Sequence, residues 1–167
     1  MSRENDGIGD LMRGALAGIA ATWVMGKVTT VMYENEDEAA RRMEDEAREG
    51  KTAYGVAAEK AARIVGRELT KAERESAGSA IHWALGASAG ATYSALRHRV
   101  PGVDAGSGLV FGAAFFLLAD EAGNVALGLT PGPRAFPWQA HARGLVGHLV
   151  FGVAAEVAIR GLERVSR

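Results

Sequence analysis

Two apolar stretches of this chain carry the same five-residue pattern, His-x-x-x-Gly, at His82 to Gly86 and at His148 to Gly152. Asp120, Glu121 and Asn124 lie between them, and His141 precedes the second copy by two helical turns. Lys27 adds a cation within an earlier apolar stretch. Imidazoles and carboxylates in nonpolar surroundings suit a small set of chemistries. Histidine beside a carboxylate titrates near neutrality, so such a cluster can respond to pH. His82, His148, Asp120 and Glu121 are ligand types of zinc, iron or manganese, although neither Glu-x-x-His nor His-Glu-x-x-His occurs. Opposed helical histidines are also the geometry of haem ligation. The structural alternative is that these groups satisfy one another and fix helix register. No spacing here assigns a catalytic residue, and no cofactor is expected.

Composition says what holds these residues. The chain has 167 residues, one domain by length, with 22 glycines, only four prolines and few aromatics, which favours helices. A net charge of −1 supplies no basic surplus for nucleic acid. The absence of cysteine removes disulfides, thiolate nucleophiles and Cys-based zinc sites. Mean hydropathy near zero averages two populations: residues 34–75 are crowded with charge, and most of the rest is apolar.

Four stretches are predicted to span a membrane, at about 8–33, 76–96, 105–127 and 138–159. The second has no Asp, Glu, Lys or Arg, and its 21 residues cover about 30 Å at ~1.5 Å each. The third and fourth contain Asp120 and Glu121, and His141, Arg143, His148 and Glu156, at a cost of ~2.5–3.5 kcal/mol for each central charge. A soluble bundle of deeply buried helices is the competing class. The leader Met1 to Arg13 opposes Arg3 and Arg13 with Glu4, Asp6 and Asp10, the wrong balance for a signal peptide, so the first span is expected to be retained.

Turn residues agree with these limits. Pro101-Gly102 separates spans two and three; Thr130-Pro131-Gly132-Pro133 and Pro137 separate three and four. Nothing between Gly26 and Glu49 breaks a helix, so span one is expected to continue as a charged stalk to a stop at Gly50. A second extramembrane helix follows, with Tyr54, Ala57, Ala58, Ala61, Ile64 and Val65 on one stripe. That stripe suits a membrane surface, a lid on the bundle or a solvated hairpin. Gly66 ends the helix, and Thr70-Lys71-Ala72-Glu73 is a capping box opening span two.

Small residues recur four apart in every span: Gly14, Gly18, Thr22 and Gly26; Gly78, Gly86 and Gly90; Gly108 and Gly112; Gly144 and Gly152. Such ladders let helix backbones approach in lipid. They place His82 and His148 toward helix contacts, and they suggest two copies of one helical hairpin with His82 equivalent to His148. If the spans alternate in direction, Lys27, His82 and Asp120 lie about 9–11 Å from one boundary. Glu121, Asn124, His141 and His148 then join them in one polar leaflet, where Lys27 and Glu121 hold matching places in the repeat and can neutralise one another. At the other end Glu156 and Arg160 form an i, i+4 anchor.

The string from His82 through Gly90 to Tyr93, then Asp120-Glu121, Leu127-Gly128-Leu129 with nearby prolines, and His148 through Gly152, resembles the YagU-like family of bacterial inner-membrane proteins. The likeness covers most of spans two to four and, more loosely, Gly14 to Gly18; the charged hairpin matches least. It implies a four-helix inner-membrane protein and, because the family's activity is unassigned, carries over no catalytic residue. The expectation is thus an all-α polytopic membrane protein, residues 1–167 forming a single membrane domain of two helical hairpins with a charged hairpin at 34–75. Its partners are the lipid bilayer and either further copies of itself or a larger membrane complex. A haem- or metal-binding enzyme or electron carrier, and a small transporter, are the other readings. Arg97, Arg99, Arg160, Arg164 and Arg167 place the termini inside, against the nine Lys and Arg residues from Arg41 to Arg74 in the hairpin.

Overall fold

The computed structural model describes residues 3–165, so Arg167 lies outside the described residues, as do the side chains of Arg3, Glu4 and Asp6. Helix α1 (Arg3–Glu34) is followed by α2 (Glu38–Arg48), α3 (Ala53–Ile64) and α4 (Lys71–Leu96). Helix α5 (Leu109–Phe115) runs into a π-helical segment, Phe116–Gly123, and a last turn, α6 (Asn124–Ala126). A 3₁₀ turn, Pro133–Ala135, leads to α7 (Trp138–Val165). The described residues contain no strand.

Three helical stretches are long and apolar enough to cross a membrane: Gly7–Glu34, Leu109–Ala126 and Trp138–Val165. Helix α4 does not qualify, although it is charge-free from Ser76 to Leu96. Lack of charge is not apolarity. Gly, Ser, Ala, His, Thr and Tyr make up most of that stretch, and they suit contact with other helices better than contact with lipid.

The surface of the bundle inverts the usual soluble pattern. Along α1 the buried face is Gly14, Ala17, Gly18, Ala21 and Thr22, whereas Leu11, Leu16, Ile19, Trp23 and Val31 point outward. The same holds for Leu117 and Leu118 in the π segment and for Leu145, Val146 and Val157 on α7. Hydroxyls on these helices bond within their own helix, Thr22 to the Gly18 carbonyl at 2.7 Å and Ser88 to the Ala84 carbonyl at 2.8 Å.

The small inward residues bring backbones together in two antiparallel pairs. A Cβ on Gly14 would sit 2.6 Å from the Gly90 carbonyl, and one on Gly18 would overlap the Gly86 carbonyl. In the second pair Gly108 meets the Gly152 carbonyl and Gly112 meets the His148 carbonyl. By these contacts Gly90 corresponds to Gly152 and Gly86 to His148. The expected equivalence of His82 with His148 is therefore off by one helical turn: the contact register matches His82 to Gly144. The apolar core between the pairs is Ala17, Ala21, Ala89, Tyr93, Phe111, Phe151, Ala155 and Ile159.

The charged segment between α1 and α4 departs most from expectation. Helix α1 stops at Glu34 instead of running on, because Asp37 caps α2 by accepting from the Ala40 amide at 2.8 Å. The Thr70 capping box is present as expected, and Gly50 and Gly66 take positive φ, +68° and +73°. Helix α3 packs on α4, with Gly55 against Gly78 and the Arg74–Glu59 ion pair at 3.0 Å. Only Tyr54, Ala57 and Ala58 of its expected stripe meet protein; Ala61, Ile64 and Val65 are exposed.

Gly18→Ala is expected to destabilise the bundle by about 1–3 kcal/mol, the usual cost of overpacking, because the methyl would enter the Gly86 carbonyl. Gly26→Ala, with nothing within 4 Å of its Cβ, is expected to be neutral or slightly stabilising. Thermal unfolding of the two variants in detergent checks this, and equal effects would refute the close-approach account.

Candidate functional site

Helix α7 is the spine of the polar region, since His141, Gly144 and His148 lie along one side at helical spacing. His141 stands between two acceptors: its Nδ1 is 2.6 Å from Glu121 Oε1 and its Nε2 is 3.0 Å from the Pro133 carbonyl. A neutral imidazole has only one N–H. Two acceptors therefore call for a second proton, and an imidazolium between a carboxylate and a carbonyl meets that need.

His148 is arranged differently. Its Nδ1 donates to the Gly144 carbonyl at 2.9 Å and lies 3.7 Å from Asp120 Oδ2. The ring is buried between Phe115 and Phe116, at centroid distances of 4.9 and 5.7 Å. Asp120 has a second long contact, from the Asn124 amide at 3.4 Å. Gly144 makes the arrangement possible, because a Cβ there would lie 2.8 Å from the Phe116 ring and 3.6 Å from Asp120 Oδ2.

The π-helical segment supplies both carboxylates. Its wider turn, shown by Asn124 N–H bonding the Ala119 carbonyl five residues back, resets the helix between Phe116 and Gly123. Adjacent residues on an α-helix diverge by about 100°. Here neighbouring Asp120 and Glu121 serve two histidines on the same neighbouring helix. Single π turns are frequent where a helix aims functional groups.

These groups wall a cavity of about 300 Å³ that opens on one side of the bundle. Asp120, Glu121, Asn124, His141, Arg48, Thr52, Tyr54 and Thr130 supply its polar lining, with Phe116, Phe136, Val125 and two prolines between them. Arg48, Thr52 and Tyr54 come from the α2–α3 turn, which reaches into the bundle as a lid. Tyr54 stacks against His82 at 4.8 Å between centroids, so His82 is screened from the cavity by Tyr54. Burial pushes the Tyr54 phenol up to about 12, which keeps it a neutral hydroxyl. A second cleft of about 10 Å³ separates His82 from His148.

A buried ion network holds the lid. Arg143 on α7 donates to Glu36 and to Glu44, while Arg48 bonds Glu44 at 2.8 Å and covers the Phe136 ring at 5.3 Å. Tyr33 lies under Arg143 at 5.0 Å. Gln139 bonds Asp37 at 3.0 Å, and Lys60 bonds the Leu127 carbonyl at 2.6 Å, so the hairpin is tied to both neighbouring helices. Burial alone would raise the Glu44 carboxyl, but hydrogen bonds and charge from Arg143 and Arg48 outweigh it and hold Glu44 below the usual range. The Ala40 amide does the same for Asp37, and Lys51 with Arg74 for Glu59.

The opposite end of the bundle holds a second, self-satisfied cluster. Glu156 is fully buried and takes the Tyr93 hydroxyl at 2.8 Å, Arg160 at 2.6 Å and Arg97 at 3.3 Å. The expected Glu156–Arg160 anchor is thus part of a larger knot that includes Glu163. The rings of Tyr93, Phe111, Phe115 and Phe151, in contacts of 4.7–6.0 Å, lie between this knot and the cavity end.

The structure therefore gathers Asp120, Glu121, Asn124, His141 and His148, and sets His82 one ring behind them. Lys27 is left out: it is exposed and lies over Trp23 at 5.8 Å, so it does not neutralise Glu121, whose partner is His141. The metal set His82, His148, Asp120 and Glu121 does not converge, and among the described residues no three His, Asp or Glu side chains form a metal site. Between His82 and His148, the pair weighed as haem ligands, the structure leaves a cleft of about 10 Å³. Sequence reasoning missed Arg48, Tyr54 and Arg143. Arg143 was readable as a charge inside a span that needs partners, but nothing local names Glu36 and Glu44.

Arg143→Gln leaves Glu36 without its cation and Glu44 with Arg48 alone, a loss of about 3–5 kcal/mol for a broken buried pair, and is expected to undock the hairpin at neutral pH. In the intact protein Asp37, Glu44 and Glu59 bind protons less readily than in the unfolded chain. Their contribution is full above the ordinary carboxylate range of about 4 and is lost as pH falls through their lower folded values. Hydrogen exchange of residues 38–64, corrected for intrinsic rates, reads both effects; unchanged protection in Arg143→Gln would contradict this role. No family model, curated protein or solved structure matches the chain.

Proposed function

We propose that the chain is an integral protein of the bacterial inner membrane, in which α1, α4, the α5–α6 stretch and α7 all cross. On this reading it works as a pH-responsive binding chamber, without catalysis of its own. The outward-facing Leu, Ile, Val and Trp side chains and inward-facing Gly and Ala support the membrane setting. Helix α4 crosses although it is the least apolar of the four, because the α1 backbone lies against it at Gly86 and Gly90 and α3 covers its first turns. Membership of the YagU-like family agrees with this setting and stands as part of the proposal.

The observation that carries the functional reading is the pair of carboxylate–imidazole contacts on one side of α7. Glu121–His141 holds a proton between two acceptors, whereas Asp120–His148 stands at 3.7 Å, a longer contact. Alkalinisation removes the second proton of His141 and frees the Pro133 carbonyl, which begins the connection to α7. The groups that face these pairs are Arg48 on α2, Tyr54 on α3 and His82 on α4. A transporter reading is less well supported, because the aromatic layer and the Glu156 knot close the far end.

Two measurements test the proposal. His141→Gln and His148→Gln, singly and together, are expected to flatten the dependence of detergent-state stability on pH between about 5 and 8. A double variant with the original profile would sink the pH role. For the setting, the cysteine-free chain allows a single Gly132→Cys probe on the hairpin side. With both termini inside, an impermeant maleimide added to intact cells labels it; labelling only after lysis reverses the orientation.

A further inference from the structure

We infer that the cavity is a binding site for a small organic ammonium ion anchored by Asp120. The inference deepens the chamber reading given above and rests on it. Every other charge in the cavity wall has a close partner of opposite sign. Arg48 is held by Glu44 at 2.8 Å, and Glu121 by His141 at 2.6 Å. Asp120 has only the Asn124 amide at 3.4 Å and the His148 ring at 3.7 Å, both beyond an ordinary hydrogen bond to a carboxylate. A partly buried carboxylate lacking a close cation is costly unless a cation or a proton joins it.

The rest of the wall narrows the chemistry of that cation. A cavity of about 300 Å³ falls at the small end of ligand sites and is far larger than a bare metal ion needs. No three acidic or imidazole groups converge on a metal among the described residues. Around Asp120 stand the rings of Tyr54, Phe116 and Phe136, whose faces attract organic cations, and the hydroxyls of Thr52 and Thr130, which can accept from an ammonium group. The apolar Val125, Pro131 and Pro133 can cover a short hydrocarbon tail. Arg48, already engaged with Glu44 and Phe136, raises the cost of a dication and favours a single positive charge.

The test uses the full chain in detergent at pH 8.5, with n-butylammonium as probe and sodium, potassium and acetate as comparisons, by titration calorimetry. Saturable one-to-one binding of n-butylammonium and none of acetate is expected. Asp120→Asn should weaken binding by at least about tenfold, the value of a charge-assisted hydrogen bond. Val125→Phe narrows the cavity while leaving every charged residue of its wall in place, and should abolish binding while the protein keeps its unfolding temperature. No binding of n-butylammonium, equal binding of sodium or potassium, preference for acetate, or full binding by Val125→Phe would each overturn the assignment. Because binding is read at one pH without reference to stability, its failure leaves the pH response of the two histidines standing or falling on its own measurement.

Discussion

Backbone contact at the glycines sets the shape of everything else in this protein. Gly14 and Gly18 lie against Gly90 and Gly86, and Gly108 and Gly112 against Gly152 and His148, so each antiparallel pair is held at a separation that no side chain could share. Large residues then have nowhere to go but outward, which is why Leu16, Trp23, Leu118 and Val157 are exposed while Ala17, Ala21 and Ala155 are buried. In a lipid surrounding, that exchange costs little, because lipid tails solvate a leucine as well as another leucine does, and close backbones gain dispersion contacts. In water the same surface would be a large liability.

Tight closure at that end displaces free volume to the other. Toward the hairpin the wall helices no longer meet through glycine ladders: Thr22, Met25 and Thr29 of α1 contact Gly86 and Gly147, and Phe116 fills the notch at Gly144. The π-helical segment lies at this level, and residues of the α2–α3 turn line the same cavity. The cavity exists because a wide helical turn and a capped hairpin meet where the ladders end. Its two carboxylates are adjacent in sequence and serve histidines two turns apart, a geometry that a regular α-helix does not offer.

Much of this was legible in the sequence, and the failures have physical causes. The ladders predicted close packing because Gly at four-residue spacing has a direct steric meaning, and the Thr70 capping box held because its two hydrogen bonds are local. The polar layer was legible in its members Asp120, Glu121, Asn124, His141 and His148, since ionisable groups in apolar runs need partners. Lys27 was misplaced because depth along a helix was read and rotation about its axis was not. It shares the outward face with Trp23, about 140° around the helix from the buried Thr22. The stalk was expected to continue past Glu34 because no proline or glycine stops it, yet Asp37 ends the run as a cap, and Asn35 and Asp37 are the residue types that do so. The register of the repeat slipped by one turn because a word match aligns identical letters, whereas packing aligns backbones: His148 sits where Gly86 does, its carbonyl, not its ring, making the contact.

That last substitution explains why only one of the two His-x-x-x-Gly words came to carry a polar site. At Gly86 the α1 hydroxyl of Thr22 fills the notch and the helix face is closed, so His82, one turn away, turns to the Tyr54 ring. At the corresponding place in the second pair the residue has a side chain, and His148 projects it inward between Phe115 and Phe116 toward Asp120. The absent side chain has moved to Gly144, which leaves room for Phe116 and Asp120. Exchanging a glycine and a histidine between successive turns of one helix thus converts a packing surface into a pocket wall. The two helix pairs make the same kind of backbone contact, and the asymmetry between them leaves the cavity at one end.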